Sequence, residues 1–299
     1  MASTVTGAFL EFAARLEPTA KQKADAANKH AGVRTVLADR LLVKRAFLTG
    51  SYARATMIRP PSDIDLFVVL DERLHARQYF YARAGEQRLL DRMHSILKAS
   101  YPLTPVRKDL PAVHLDFSTY GFDVVPAFPR EGGGYLIPSR SGVGWISTAP
   151  DVHARATRGM NAWTKNEFVP LVKIFKAWNV GHFHKLTGFH LEAALDVAWP
   201  RVLSPAGRRP VTFNSRAAAT FRLLPGLALV WARPTFDPAG VGGRIDSYLT
   251  AQDRLLTRTR LLASWHQSKV ALVRDGRGDQ RGAIEKWREV FGDPFPCYG

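Results

Sequence analysis

"FLTGSYARATMIRPPSDIDLFVVLD", residues 47–71, sets a Gly-Ser pair, a short hydroxyl-bearing stretch and two carboxylates ahead of a run of β-forming residues. The run "IDLFVVLD" reads as a buried strand, because it is apolar and β-branched nearly throughout. "RAFLTGS" reads as a shorter strand ending at Gly50-Ser51, and "YARATMI" has room for one or two helical turns before the breaker "RPPSD". Side chains alternate along a strand, so Asp63 and Asp65 point the same way with Cα atoms about 6.5 Å apart. Two carboxylates so placed disfavour each other's charge unless a cation lies between them. Mg²⁺ answers that need, since it takes oxygens from one or two carboxylates and from substrate phosphates.

Further along, "AVHLDFSTYGFDVVPAF" reads as two strands around the turn Thr119-Tyr120-Gly121. If the second of these lies beside residues 64–70, Asp123 joins the same face. Three carboxylates and two ions about 3.5–4 Å apart suit in-line phosphoryl displacement: one ion activates an attacking hydroxyl and the other steadies leaving pyrophosphate. That chemistry is nucleotidyl transfer. Gly50-Ser51 adds a phosphate rest, because glycine lets the backbone approach closely and the amides opening the next helix face an anion. Taken alone, Asp-x-Asp after Pro-Pro-Ser also suits a solvated turn capped by Asp63 or Ser62. The conjunction of strand, Gly-Ser, short helix, breaker, paired aspartates and a later strand-borne aspartate argues for the site.

The whole chain agrees with a packed protein of two lobes: 299 residues, 46% hydrophobic and 23% charged. Forty-two Lys and Arg against twenty-six Asp and Glu leave +16, which favours phosphate-bearing partners, nucleotides or nucleic acid, although a solvated basic surface gives the same sum. Cys297 is the only cysteine, so no internal disulfide or cysteine-based zinc site forms, and a reducing cytoplasm is expected. The most apolar segment, "FRLLPGLALVWA", is short and carries Arg222 and Pro225, so no membrane span is expected. Helical spacing is read over 5–17, 19–43, 75–100, 151–180, 187–199, 215–232, 245–269 and 280–291, with 131–150 as loop. An α/β half, 1–150, is thus expected to precede a helical half, 151–299.

Gly50-Ser51, Thr56, "SDIDLFVVL" and "FDVVPAF" resemble the nucleotidyltransferase superfamily with the DNA polymerase β-type palm. Within it, "YLIPSRSGVGWISTAPDVH", "FVPLVKIFKAWN" and "LTGFHLEAAL" are most similar to the bacterial relatives of cyclic GMP-AMP synthase, the CD-NTases of CBASS anti-phage systems. The likeness covers roughly residues 30–240. It implies an α+β fold: a palm with a mixed sheet and a long N-terminal spine helix, a C-terminal helical lobe, and an active site in the cleft between them. It implies that Asp63, Asp65 and Asp123 are catalytic and bind two Mg²⁺, with Mn²⁺ as a substitute. Asp123 is then best placed to help deprotonate the attacking hydroxyl. Gly50 and Ser51 would hold phosphates, with Ser62 beside them, and Lys176, with Lys173 a turn earlier, would meet the triphosphate. There are departures. The family's Gly-Thr is here Ala55-Thr56, and a hydroxyl often found at the next helix start is here Gly188, with Thr187 one step earlier as the candidate contact. Asp237-Pro238 resembles a family pair near the acceptor base.

The implied activity is synthesis of a cyclic di- or trinucleotide second messenger, purine-containing, from nucleoside triphosphates such as ATP and GTP, by a monomer that needs no nucleic acid and signals to a downstream effector. Conjugation to a partner through Gly299 is a further implication. Two alternatives stay open: transfer to an RNA end, protein or small-molecule acceptor, and a basic nucleic-acid-binding module on an inactive palm. Tyr52 suits base stacking, while Trp178 beside Phe175 reads as core. His182, His184 and His190 lack the carboxylates or cysteines that a metal reading needs, and the basic run Arg254–Arg288 is interleaved with acids like a solvated face.

Overall fold

The computed structural model describes residues 1–61, 63–182, 185–203 and 215–299. In chain order they form α1 (Val5–Arg15), α2 (Ala20–Ala38), β1 (Val43–Leu48), α3 (Gly50–Ala53), β2 (Asp63–Leu70) and α4 (Glu72–His75). Then come α5 (Gly85–Ser100), β3 (Val106–Asp109), β4 (Ala112–Phe117), β5 (Tyr120–Pro129), β6 (Tyr135–Pro138) and β7 (Trp145–Thr148). Helices α6 (Pro150–Trp163), α7 (Phe168–His182), α8 (Gly188–Leu203), α9 (Arg216–Val230), α10 (Ala251–Gly276) and α11 (Gln280–Phe291) complete the chain. No helix among the described residues is long and apolar enough to cross a membrane.

The chain divides into a palm unit, Pro18–Arg155, and a helical unit made of Met1–Glu17 and Ala156–Gly299. The palm is built on a mixed sheet of order β1-β2-β5-β4-β3, in which β2 and β5 run parallel and the other pairs antiparallel; β6 pairs β5 and β7. Alternation along β2 sends Ile64, Leu66, Val68 and Leu70 to one face, where they pack with Val33 and Leu37 of α2 and with Leu89, Leu90, Met93 and Leu97 of α5. Phe67 and Val69 face the other way, in a smaller apolar group with Ala112, Val125 and Ala127. Helix α2 starts with a capping box between Thr19 and Gln22, and it ends at Ala38, well before the expected 43, because Val43 already pairs with Leu70.

Four expectations are corrected. The Gly-rich stretch 131–150, expected to be loop, contains the hairpin β6–β7, in which "YLIP" pairs antiparallel with "WIST" and adds to β5 through Leu136 and Tyr135. The single helix expected over 151–180 is two, broken where Lys165 and Asn166 adopt φ of +52° and +67°; asparagine is among the few residues that tolerate this left-handed turn. The N-terminal helix does not belong to the palm. In the helical unit, α1 packs against α7, α9 and α11. The ring of Phe9 lies 4.9 Å from that of Trp287 and 5.2 Å from that of Phe295, and Phe12 lies 5.1 Å from Phe291. The division falls within α6, at Arg155, not at 150. The physical reason is that Phe9 and Phe12 of α1 bury their rings against Trp287, Phe291 and Phe295 at the end of the chain, all five nearly solvent-free.

Phe9→Ala, although near the terminus, should therefore cost about 3–5 kcal/mol in urea unfolding of the full chain. A loss within about 0.5 kcal/mol, the range of surface changes, would show that α1 is no part of this core.

Candidate functional site

The three aspartates meet because of strand register. In the parallel pair β2–β5, Asp65 lies beside Asp123 and Asp63 beside Gly121. In the antiparallel pair β4–β5, His114 lies opposite Asp123. Side chains level with one another across a sheet share a face, so Asp65, Asp123 and His114 form one row over three strands, with Asp63 one step away. The same face continues into the apolar group of Phe67, Val125 and Ala112. The carboxylates thus occupy the opening end of a face whose remainder is packed.

The electrostatics show how closely they are held. Burial pushes the Asp65 carboxyl up to about 6; the neighbouring charges of Asp123 and Asp63 push the same way, and Arg54 and Arg140 oppose them. Asp63 is raised as well, by burial first and then by Asp123, against the pull of His114 and Arg107. Asp63 is nonetheless exposed and Asp65 half-buried by surface, so a carboxyl at this mouth loses water on one side only. His114 is buried, and its Nδ1 donates to Oδ1 of Asp123 over 2.7 Å; an ionised carboxylate can only accept.

Gly50 is required twice. Its φ is +62°, and a methyl group there would lie 1.7 Å from Oδ2 of Asp65. The backbone is tied to the aspartate strand as well, since the Thr49 N–H donates to the Asp65 carbonyl. Ser51 is the second residue of the four-residue α3, and its carbonyl accepts from the N–H groups of Thr56 and Met57, which folds the following loop back. Ala55, where the family pattern has glycine, holds φ of +58°, a left-handed conformation that costs a residue with a Cβ about 1–2 kcal/mol. The substitution keeps the turn at the expense of strain. Tyr52 donates its hydroxyl to the Lys23 carbonyl and packs on the palm core.

Among the described residues, no group of three His, Cys, Asp or Glu side chains is closed around a point as a metal cage. The donor set still fits a hard divalent ion. All three groups are carboxylates, two of them burdened by their neighbours' charge, and Mg²⁺ commonly binds one or two carboxylates with its remaining positions left to water and phosphate oxygens. Asp63, Asp65 and Asp123 are the residues that would hold it.

The remaining expected residues lie in the helical unit, and each has partners there. Lys176 Nζ donates to Glu192 Oε1 over 2.6 Å, both side chains buried. A methyl group at Gly188 would stand 3.2 Å from Lys176 Nζ, so the glycine at this helix start gives the lysine room. Lys173 is paired with Glu17. Thr187 caps α8, its hydroxyl accepting from the His190 N–H, while its own N–H donates to the Tyr248 hydroxyl. Both oxygens of Asp237 are engaged by its own loop, one by the Ala239 N–H and the other by that of Gly242. Trp178 is core: its indole N–H donates to the Ser264 hydroxyl. His182 bonds the Trp178 carbonyl, and His190 bonds Tyr248 and Thr235. Ser62 and His184 lie outside the described residues. Gly299 follows Tyr298, which forms a bridge with Ala2.

Two residues of the site went unread in the sequence. His114 shares its face with Asp116 in the alternating "AVHLDF", and once Phe117 pairs with Tyr120 across the turn, three steps back along β4 bring His114 opposite Asp123. Gly121, expected in the turn, is instead the strand residue beside Asp63.

A model of the family described as Second Messenger Oligonucleotide or Dinucleotide Synthetase (SMODS) domain matches residues 3–161. A cyclic AMP-AMP-AMP synthase of an Acinetobacter species is 25% identical over 304 residues, covering 96% of this chain and 84% of the relative. The solved structure of Escherichia coli MS115-1 CdnC with ATP superposes with a TM-score of 0.74 at 16% identity, covering 97% of this chain and 98% of that one. That of Bradyrhizobium diazoefficiens CdnG in complex with GTP gives 0.71 at 14% identity, covering 98% and 96%.

Asp65 generates a stability prediction. Its carboxyl is raised when folded, so its charge disfavours the fold above pH 6 and the effect disappears as pH falls towards the ordinary carboxylate range. In chelator at pH 8, Asp65→Asn should be more stable than wild type by about 1–3 kcal/mol, and that gain should vanish by about pH 4. Urea unfolding at both values checks this; a variant less stable at pH 8 would contradict the assigned burial.

Proposed function

The chain belongs to the Second Messenger Oligonucleotide or Dinucleotide Synthetase domain family and is a nucleotidyltransferase with the polymerase β-like fold of the CD-NTases, and from that premise we propose that it joins nucleoside triphosphates, purine ones among them, into a cyclic di- or trinucleotide for anti-phage signalling to a downstream effector. What supports this is the single row of Asp65, Asp123 and His114 with Asp63 beside it, facing the Gly50-Ser51 backbone. Bound between those carboxylates, divalent ions, Mg²⁺ or Mn²⁺, would activate the attacking ribose hydroxyl and steady the leaving pyrophosphate.

The chain's own residues do the rest. Gly50 brings main chain against Asp65 without a side chain in the way, so the amides opening α3 can approach a phosphate. Asp63 and Asp65, two residues apart on one strand, present their carboxylates from the same face of the sheet. The positive charges of Arg54 and Arg140 ease the ionisation of Asp65. Nucleic acid is not needed for any of these roles, and duplex should leave the rate unchanged.

The test is incubation of the full chain with the four ribonucleotides and Mg²⁺, with products identified by mass and nuclease sensitivity. A phosphatase-resistant cyclic product should form with no added acceptor, and Asp63→Asn should lower its rate at least about 10²–10³-fold while leaving the chain folded. Product only on addition of an RNA, protein or drug acceptor, or full activity in Asp63→Asn, would overturn the proposal.

A further inference from the structure

The imidazole of His114 belongs to the carboxylate site by geometry, although no step above uses it. Its Nδ1 is 2.7 Å from Oδ1 of Asp123. Its other edge reaches across β5 above Gly121: a methyl group at Gly121 would lie 2.2 Å from His114 Cε1 and 2.6 Å from its Nε2. The same point is 2.4 Å from Oδ1 of Asp63. One buried ring therefore spans from Asp123 on β5 to Asp63 on β2, and it can do so only because residue 121 has no side chain. The three strands contribute one residue each to this arrangement, which is fixed by main-chain register and not by loop conformation.

A carboxylate left to itself on a sheet surface rotates about its terminal bond. Held by one oxygen, it presents the other in a fixed direction. Ligating carboxylates are commonly held in this way by a neighbouring donor, and loss of that donor weakens metal binding or activity 10–100-fold. The ring has the donor, the reach and the burial for this task. Gly121 is what lets it stand there.

We propose that His114, seated in the notch left by Gly121, is a positioning residue that holds Asp123 through Oδ1 and so orients its Oδ2 towards a divalent cation shared with Asp63 and Asp65. This rests on the carboxylates binding a cation, as proposed above. It adds a residue that acts through Asp123 and does not itself touch the metal or the nucleotide.

The test uses the full chain with Mn²⁺ alone as the probe, its uptake followed by electron paramagnetic resonance, in wild type and in His114→Phe, His114→Asn and His114→Gln. Asparagine carries its N–H where Nδ1 stands, and glutamine carries it where Nε2 stands, so the two separate position from mere polarity. His114→Phe and His114→Gln should raise the Mn²⁺ dissociation constant about 10–100-fold, and His114→Asn should stay near wild type. In turnover, kcat should follow the metal affinity while the nucleotide KM changes little. Unfolding in chelator monitors the fold separately, and if the Phe variant does not fold, the Asn and Gln pair still decides. Equal Mn²⁺ affinity in wild type, Asn and Gln variants would overturn the role of His114 and leave the metal site standing; a wild-type chain that takes up no Mn²⁺ would overturn both.

Discussion

The parallel pairing of β2 with β5 is the constraint on which the site depends. It sets Asp65 level with Asp123 and Asp63 level with Gly121, and a slip of one residue would turn Asp123 to the opposite face, into the core of Leu37, Leu90 and Val113. That slip is resisted by burial on both sides of the sheet. Ile64, Leu66, Phe122 and Val124 fill one face, and Phe67, Val125 and Ala127 the other. Apolar packing downstream thus forces like charges together upstream, where they would not collect by themselves.

The consequence is a site whose stability and chemistry oppose each other. Asp65 is pushed up to about 6 by burial and by its acidic neighbours, and Ala55, which has a Cβ, holds left-handed backbone in the loop that follows Gly50-Ser51. Such local costs are usual where a protein places charge for catalysis. They are tolerable here because the supporting strands are long, central and covered. The positive charges of Arg54 and Arg140 moderate the repulsion at Asp65.

Much of this was legible in the residues. The apolar, β-branched run after the breaker "RPPSD" marked β2, the side-chain alternation of a strand put its two aspartates on one face, and the hairpin carried Asp123. Other features depend on contacts that no local pattern announces. Nothing in "VTGAFLEFAAR" says that Phe9 and Phe12 pack with Phe291 and Phe295 at the far end of the chain. The break at Lys165-Asn166 interrupts a helical periodicity with two left-handed residues, and the side chains of Asn161 and Thr164 accept from the first N–H groups of the helix that follows. Lys176 was singled out for phosphate, yet its partner Glu192 lies 16 residues on and one helix away, and only packing brings the two together. His114 stood within reach of sequence reasoning, because the strand register that aligns Asp123 also fixes what faces it.

The central claim is that Asp63, Asp65 and Asp123 act as one divalent-cation site. The most direct measurement is a crystal of the full chain soaked with Mn²⁺ and a nonhydrolysable ATP analogue, with the anomalous signal of manganese located. The account predicts signal coordinated by oxygens of all three aspartates with the analogue's phosphates over Gly50-Ser51. Manganese elsewhere, with the three carboxylates bare and the nucleotide bound in another place, would contradict it.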